Sequence, residues 1–347
     1  MRVLHVVEAT GGGTARHVID LCLGLVERGV QVHVVYSPIR MDNVFKAGVA
    51  ALEKQGVPVG RIPMRRELHL SDVAALAALG KYLRTHGPFA LVHAHSSKAG
   101  GLARLLRLAG GPGVVYTPHG FFTLAPYAGR TRFFYELVER ALSPLTAAII
   151  AVSESDAIEA VRLGCRPEKV RLIPNGIRLE PGCGEVAGEL RARWGVRGGD
   201  VVVGFVGRFV RQKRPAMLVE AFERVARKHP DVWLVMVGEG PLETELREKA
   251  ARLGIGARVI WPGWIEGREA VQAFDIVGLS SDYEGFPYVL LEAMAAGVPI
   301  VSTKVGAAEL LVRQGETGFV VPVGDVDAFA RALDRLVQDR ILRSQMA

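Results

Sequence analysis

Two acidic residues stand eight positions apart in Glu284-Gly-Phe-Pro-Tyr-Val-Leu-Leu-Glu292. A Gly and a Pro suited to a helix's first position lie between them, and the apolar run behind them stops at Gly297. This predicts a loop feeding a helix N-terminus. Such an end offers unpaired backbone N–H groups and a partial positive charge, which suit a phosphate. Glu284 is expected in the loop and Glu292 about two turns into the helix. Carboxylates flanking an anion site fit a ligand with phosphates and hydroxyls, such as a nucleotide sugar. An ordinary helix with an acidic entry and a solvated Glu would give the same pattern.

Gly207-Arg208 and Lys213 form a second cluster. A guanidinium fork and an ammonium at this spacing could hold a diphosphate. Arg211 and Arg214 crowd the same loop, which also fits a solvated basic surface. In Gly11-Gly-Gly13 the backbone can approach a ligand closely, with a helix just behind. It is not a dinucleotide fingerprint: position 16 is Arg, and Tyr36-Ser-Pro38 supplies no acid for a ribose. His119, between Pro118 and Gly120, is posed by a turn, as active-site and structural histidines both can be. His5, His17, His93 and His95 lack the sequence spacing of a metal site, and no carboxylate pair stands out as a metal–diphosphate site. No Walker pattern occurs.

These residues need a scaffold. Val3–Val7 is an expected strand, and Thr14–Arg28 an expected helix with apolar positions at Val18, Ile19, Leu21, Cys22, Leu25 and Val26. The second half opens alike, with a strand at Val201–Val206 and a helix led by Pro215. Further strands are expected at Val30–Tyr36, Ala90–His93, Val114–Thr117 and Ala147–Val152, then at Trp233–Val237, Val259–Ile260, Ile276–Leu279 and Pro299–Ser302. Many are continuous apolar runs, as in parallel sheets covered on both faces. The chain is thus read as α/β, with two doubly wound Rossmann-like domains, 1–175 and 176–347. Ligands of such folds bind beyond the carboxyl ends of the strands, so Gly11–Gly13, His119, Arg208 and Glu284 are expected to converge on a cleft between the domains.

The 347 residues suffice for two domains, and hydrophobic residues make up 49 % of them, enough for full cores. No apolar run is long enough to span a membrane, and the N-terminus reads as a strand, not a signal peptide. Cys22, Cys165 and Cys183 form no framework, which points to a reduced, cytoplasmic chain. Residues 1–175 carry 21 Lys and Arg against 13 Asp and Glu, and the rest 22 against 23. The basic first half would suit an anionic membrane surface, a phosphorylated substrate or nucleic acid; a soluble domain can also simply be basic. Nucleic acid is the weakest of these, because no aromatic and basic recognition motif is present.

Together the motifs resemble the family-4 retaining glycosyltransferases of GT-B fold, glycosyltransferase group 1, over nearly the whole chain. The resemblance rests on the glycine loop, His119-Gly-Phe, Ile173-Pro-Asn-Gly-Ile177, Gly207-Arg208 with Lys213, Val237-Gly-Glu-Gly-Pro241 and the Glu284–Glu292 pair. Glu292-Ala-Met-Ala-Ala-Gly-Val-Pro299 and Gly315-Glu-Thr-Gly-Phe319 extend it. It implies metal-independent, retaining transfer from a nucleotide sugar, a UDP-sugar by preference, to a glycan or lipid-linked acceptor in cell-surface polysaccharide synthesis. No cofactor is implied. Arg208 and Lys213 would neutralise the departing diphosphate. Glu284 would hold sugar hydroxyls beside the backbone of Gly285 and Phe286. Glu292 would hold the ribose, His119 would orient the donor sugar, and Gly12 and Gly13 would approach the phosphates.

The resemblance also places the acceptor on the first domain. Residues 121–134 are apolar and basic together, and Arg65, Arg66, Lys98, Arg104 and Arg107 could add attraction for lipid head groups at the inner membrane face. Equally, the aromatics of 121–134 could pack inside a cap. Two departures stand out. Val305-Gly-Ala-Ala-Glu309 replaces a Gly-Gly-x-x-Glu loop, and Leu342-Arg-Ser-Gln-Met-Ala347 reads as the start of a helix cut short. A nucleotide-sugar epimerase of the same fold and a non-catalytic nucleotide-sugar-binding protein are the alternatives.

Overall fold

The computed structural model describes residues 1–126, 129–179 and 184–347, and the side chains within them except at 130, 184 and 185. The chain folds as two units, Met1–Gly176 and Ile177–Ala347, each with its own sheet and core.

The first unit alternates β1 (Arg2–Val7), α1 (Gly12–Glu27), β2 (Gln31–Tyr36), α2 (Asn43–Lys54), β3 (Val59–Arg61), α3 (Ser71–His86) and β4 (Leu91–His95). It continues through α4 (Ser97–Arg107), β5 (Gly113–Thr117), α5 (Gly129–Leu142), β6 (Ala148–Ala151), α6 (Glu154–Arg162) and β7 (Val170–Leu172). Its seven parallel strands run in the order β3-β2-β1-β4-β5-β6-β7. The chain winds outward in both directions from the β1–β4 pair. Alternate side chains of each strand serve opposite faces. Leu4, Val6, Val92 and Ala94 pack with Leu79, Ala99 and Leu102 from α3 and α4. Val7, Val32 and Val34 pack with Val18, Ile19, Phe45 and Val49 from α1 and α2.

The second unit comprises α7 (Gly184–Trp194), β8 (Val201–Val206), α8 (Pro215–Ala226), β9 (Val232–Val237), α9 (Glu243–Arg252), β10 (Val259–Gly263) and α10 (Gly267–Gln272). Then follow β11 (Ile276–Leu279), α11 (Tyr288–Ala295), β12 (Ile300–Thr303), α12 (Ala308–Leu311), β13 (Gly318–Val321), α13 (Val326–Gln338) and α14 (Arg340–Met346). Six parallel strands run β10-β9-β8-β11-β12-β13, with the reversal between β8 and β11. Val203, Phe205, Leu234 and Met236 face Leu218, Phe222 and Phe329 on one side. Val202, Val235 and Val277 face Val271, Leu290 and Ala293 on the other. Each such side chain contributes about 1.5–3 kcal/mol when fully buried.

The expected strands all form, with ends shifted by at most three residues. The short strands β3, β7 and β13 were not anticipated. Pro287 is the residue before α11, not its first, so Glu292 lies a little over one turn into the helix. Cys22 and Cys165 are free and buried, and Cys183 lies outside the described residues.

Candidate functional site

In the second unit, the loops leaving β8 and β11 flank the strand-order reversal, the place where open α/β sheets bind ligands. Lys213 is on the first loop and Glu284 on the second. Their side chains meet, Nζ to Oε1, at 2.7 Å. Ser281 Oγ donates to the same carboxylate oxygen at 2.6 Å. Backbone and side-chain bonds sew the loops together. Asp282 N donates to the Gln212 carbonyl at 2.8 Å, and Gln212 Nε2 to the Tyr283 carbonyl at 3.2 Å. Arg214 Nη1 donates to Asp282 Oδ1 at 2.8 Å. Ser280 Oγ donates toward the Lys213 and Arg214 carbonyls at 3.1 and 3.0 Å. Arg214, at φ 45°, makes the sharp entry into α8. Lys213 is therefore not a lone surface cation, and Arg214 helps to build the loop.

Glycines make room for this arrangement. A Cβ at Gly238 would stand 2.1 Å from the Gly207 carbonyl oxygen, and one at Gly240 2.5 Å from that of Phe209. The Val237–Pro241 turn thus backs directly onto the segment that carries Arg208, an exposed residue. Gly207 in turn lies against Lys213, its ideal Cβ 3.6 Å from Lys213 Cε. A Cβ at Gly306 would stand 2.5 Å from the Glu284 carbonyl oxygen and 2.4 Å from that of Gly285. The departure Val305–Glu309 thus supports the Glu284 loop from behind. Gly285 and Phe286 are buried at the entry to α11. Glu292 points its carboxylate at the first residue of α10, where a Cβ on Gly267 would stand 2.3 Å from Oε2. The acidic pair thus addresses different neighbours, Glu284 meeting Lys213 and Glu292 meeting Gly267. Asp282, Ser280, Ser281, Gln212 and Gly267 went unremarked in the sequence, although the serines and Asp282 immediately precede the acidic motif.

The chain contains one Asp-x-Asp, Asp325-Val-Asp327, in the second unit. Asp325 caps α13 by accepting from Ala328 N, and Asp327 pairs with Arg224, so both carboxylates have structural partners.

In the first unit, histidines gather around β1 and β4, the strands at its own reversal. His5 Nδ1 lies 3.1 Å from His95 Nε2, and His95 Nδ1 lies 3.1 Å from His119 Nε2. His17, on α1, meets the His119 ring edge-on at 4.7 Å between centroids. His93 Nε2 is 2.8 Å from Thr117 Oγ1. Spacing along the chain missed this group because four separate elements contribute to it. Two triads, His5/His93/His95 and His17/His95/His119, keep ligand-capable atoms within 4.8 Å of one another. The sheet's register, and not spacing along the chain, brings these histidines together. Burial makes their charged forms costly. It lowers His5 to about 3 and His17 to about 4, the latter despite a hydrogen bond with Asn175 that pulls the other way. Burial also holds His93, His95 and His119 well below the usual range.

His119 has left-handed backbone, φ 57°. Buried Asp156 braces its turn by accepting from Phe121 N at 3.2 Å. Burial raises the Asp156 pKa to about 6, against the lowering effect of these backbone hydrogen bonds. Gly12 requires its glycine, at φ 64°, but its N–H donates to Asp42 Oδ2 at 2.7 Å. Gly12 therefore shapes the loop through Asp42 and does not present an open N–H, whereas Gly13 is exposed. Glu8, where β1 ends, is buried and pairs with Arg40 at 2.7 Å.

The basic and apolar surface also needs correction. Lys98 is buried and bonded to Asp72 and the Glu67 carbonyl. Arg104 is buried, paired with Glu139 at 2.9 Å and stacked over Tyr116 at 4.4 Å. Neither can attract lipid. Arg65, Arg66 and Arg107 are exposed. Phe121 is core, whereas Phe133 is 73 % exposed and Leu137 56 %. Tyr127 and the side chain of Arg130 lie outside the described residues.

Two doubly wound parallel-sheet units are the architecture of the GT-B glycosyltransferases, and comparison with known proteins agrees. Residues 11–181 match Glycosyltransferase Family 4, and residues 187–347 match Glycosyl transferases group 1. The chain belongs to this family. A UDP-Gal:alpha-D-GlcNAc-diphosphoundecaprenol alpha-1,3-galactosyltransferase of Escherichia coli is 31 % identical over 79 % of the chain and 72 % of that protein. The lipopolysaccharide core biosynthesis glycosyltransferase LpsE of Rhizobium meliloti is 28 % identical over 100 % and 92 %. The Anabaena HepE structure in complex with UDP and glucose shares the fold, with TM-score 0.83 and 23 % identity, covering 100 % of this chain and 92 % of that one. Among the described residues no helix is long and apolar enough to cross a membrane.

Proposed function

We propose that this glycosyltransferase moves a sugar from a UDP-sugar to a lipid-linked or glycan acceptor, without a metal ion and with retained anomeric configuration. The observation that carries the proposal is the sewn pair of loops holding Lys213 beside Glu284 at the β8–β11 reversal. The UDP-galactose-using, lipid-diphosphate-directed relative and the UDP-bound structural neighbour support the donor and acceptor class.

In this reading the donor diphosphate takes over the ammonium of Lys213, which in the free protein is held by Glu284. Glu284, released from that pair, accepts hydrogen bonds from sugar hydroxyls. Arg208 adds a second cation, Glu292 holds the ribose, and His119 orients the donor sugar. The acceptor hydroxyl attacks the anomeric carbon on the face from which UDP leaves. The carbon–phosphate-oxygen bond breaks as the new glycosidic bond forms, and the hydroxyl proton passes to the leaving phosphate oxygen. Fixed cations that stabilise the growing charge on the diphosphate lower the barrier, typically by ~3–4 kcal/mol for one well-placed group. The exposed Phe133, Phe134 and Leu137, with the exposed Arg65, Arg66 and Arg107, are assigned to peripheral contact with an anionic membrane.

A donor panel with lipid-phosphate acceptors, read by mass spectrometry in excess EDTA, tests the proposal. We expect UDP release and a product whose linkage has the donor's anomeric configuration by NMR. A strict requirement for added Mg²⁺, an inverted linkage, or isomerised donor without acceptor would overturn it.

A further inference from the structure

We infer that His5 and His95 are positioning residues that set the proton arrangement of His119, leaving its ring with a single N–H, at Nδ1. Only its consequence for turnover rests on the proposed transferase reading.

The three histidines form one hydrogen-bonded line across adjacent strands. His5 is on β1, His95 on the neighbouring β4, and His119 follows β5, the next strand along. Register sets this line: His5 pairs with His93, so the His95 ring, two residues farther and on the same face, is within reach of His5. The contacts are His5 Nδ1 to His95 Nε2 and His95 Nδ1 to His119 Nε2, each 3.1 Å. His5 and His95 have no exposed surface.

A neutral imidazole has one donor and one acceptor nitrogen. Both nitrogens of His95 are used in the line, so donors must point the same way along its whole length. Either His5 donates to His95 and His95 to His119, or both bonds run in reverse. The far end decides between these arrangements. His5 Nε2 is buried and has no hydrogen-bond partner. In the reverse arrangement it would carry an N–H with no acceptor, which is rare and costly in a protein interior. In the forward arrangement it carries only an unpaired acceptor lone pair, which interiors tolerate better than an orphaned N–H. The line therefore runs from His5 through His95 to His119. His119 Nε2 accepts, and Nδ1 becomes that ring's only donor. His17 and His93 pack against the same rings and are held neutral by burial, so neither supplies a competing charge.

The same nitrogens could instead bind a soft divalent cation, since imidazole is a good zinc ligand. Hydrogen bonds already occupy both nitrogens of His95, and the test separates the two possibilities. Histidine ¹⁵N NMR on the full chain at neutral pH, without substrate, is expected to show Nδ1–H for His95 and His119. An Nε2–H pattern for His95, or a metal-bound pattern with zinc in the purified protein, would overturn the inference.

Kinetics supply the second arm. His5→Leu removes the first donor and should lower kcat by about 10- to 100-fold with little change in donor KM. His5→Asn keeps an amide N–H near the Nδ1 position and should recover most of that loss. Equal loss in both variants would reduce His5 to a packing residue. If no donor is turned over at all, the transferase reading fails while the NMR outcome still judges the inference.

Discussion

Lys213 and Glu284 meet at 2.7 Å across the point where the second sheet reverses its strand order. Their side chains are 18 % and 9 % exposed, so each charge relies on the other. A nucleotide sugar that binds here must replace one partner of the pair for the other. Ligand binding and loop stability are therefore coupled at a single contact.

Lys213→Ala should lower kcat about 100- to 1000-fold by removing one cation from the departing diphosphate. It should also destabilise the second unit by about 1–3 kcal/mol, because it leaves the Glu284 carboxylate without its cation. Lys213→Ala/Glu284→Gln should restore much of the stability and none of the activity. Denaturation followed by tryptophan fluorescence reads this unit directly, since Trp194, Trp233, Trp261 and Trp264 all belong to it. A double variant no more stable than Lys213→Ala would show that the pair carries no coupling.

The loop behind Glu284 gives a sharper test of geometry. Gly306 has φ 48°, and a Cβ there would stand within 2.5 Å of two carbonyl oxygens in the Glu284–Gly285 segment. Gly306→Val must push that segment forward. Donor KM should rise about 10- to 100-fold with a modest loss of stability. A KM unchanged by Gly306→Val would detach the Glu284 loop from donor binding.

How far the sequence reached follows from which signals are local. Apolar runs such as Val201–Val206 announce buried parallel strands, because helices cover both faces. Lys213 and Glu284 were legible as members of one site for the same reason, since each follows a strand of one doubly wound sheet. Their direct pairing was not legible, because it depends on bonds between loops 66 to 71 residues apart in sequence. The histidine line was invisible for a related reason. His5, His95 and His119 acquire their spacing from strand register, which sequence intervals do not encode. Lys98 and Arg104 were misjudged because α4 turns them inward, where Asp72 and Glu139 wait.

The buried histidines make the first unit sensitive to acid. Each has a folded pKa below its unfolded value, near 6.5, so its neutral burial is fully tolerated above that value. As pH falls through 6.5 toward 4, the unfolded chain takes up protons that the folded unit refuses. At pH 5 each such histidine costs about 2 kcal/mol of stability. Asp156 acts oppositely. Its raised pKa, about 6, favours the folded state as pH drops from 6 toward 3.8, but it is a single group. Hydrogen exchange at β1 and β4 should therefore accelerate strongly between pH 7.5 and 5, after correction for the intrinsic rate. Protection independent of pH would contradict neutral burial of His5 and His95.

The exposed face of α5 yields a prediction about location. Phe133 and Leu137 lie one turn apart and largely exposed, with Phe134, 42 % exposed, beside them. Exposed Arg65, Arg66 and Arg107 belong to the same unit, so an anionic bilayer could attract the domain while these apolar groups enter its surface. Partial burial of two such side chains contributes about 1.4–2.8 kcal/mol, which corresponds to a change of about 10- to 100-fold in partition. Phe133→Ser/Leu137→Ser should therefore weaken sedimentation with phosphatidylglycerol vesicles by that factor. Neutral phosphatidylcholine vesicles should bind the parent chain poorly, and added salt should weaken binding to the anionic ones. Undiminished sedimentation of the double variant would remove α5 from membrane contact.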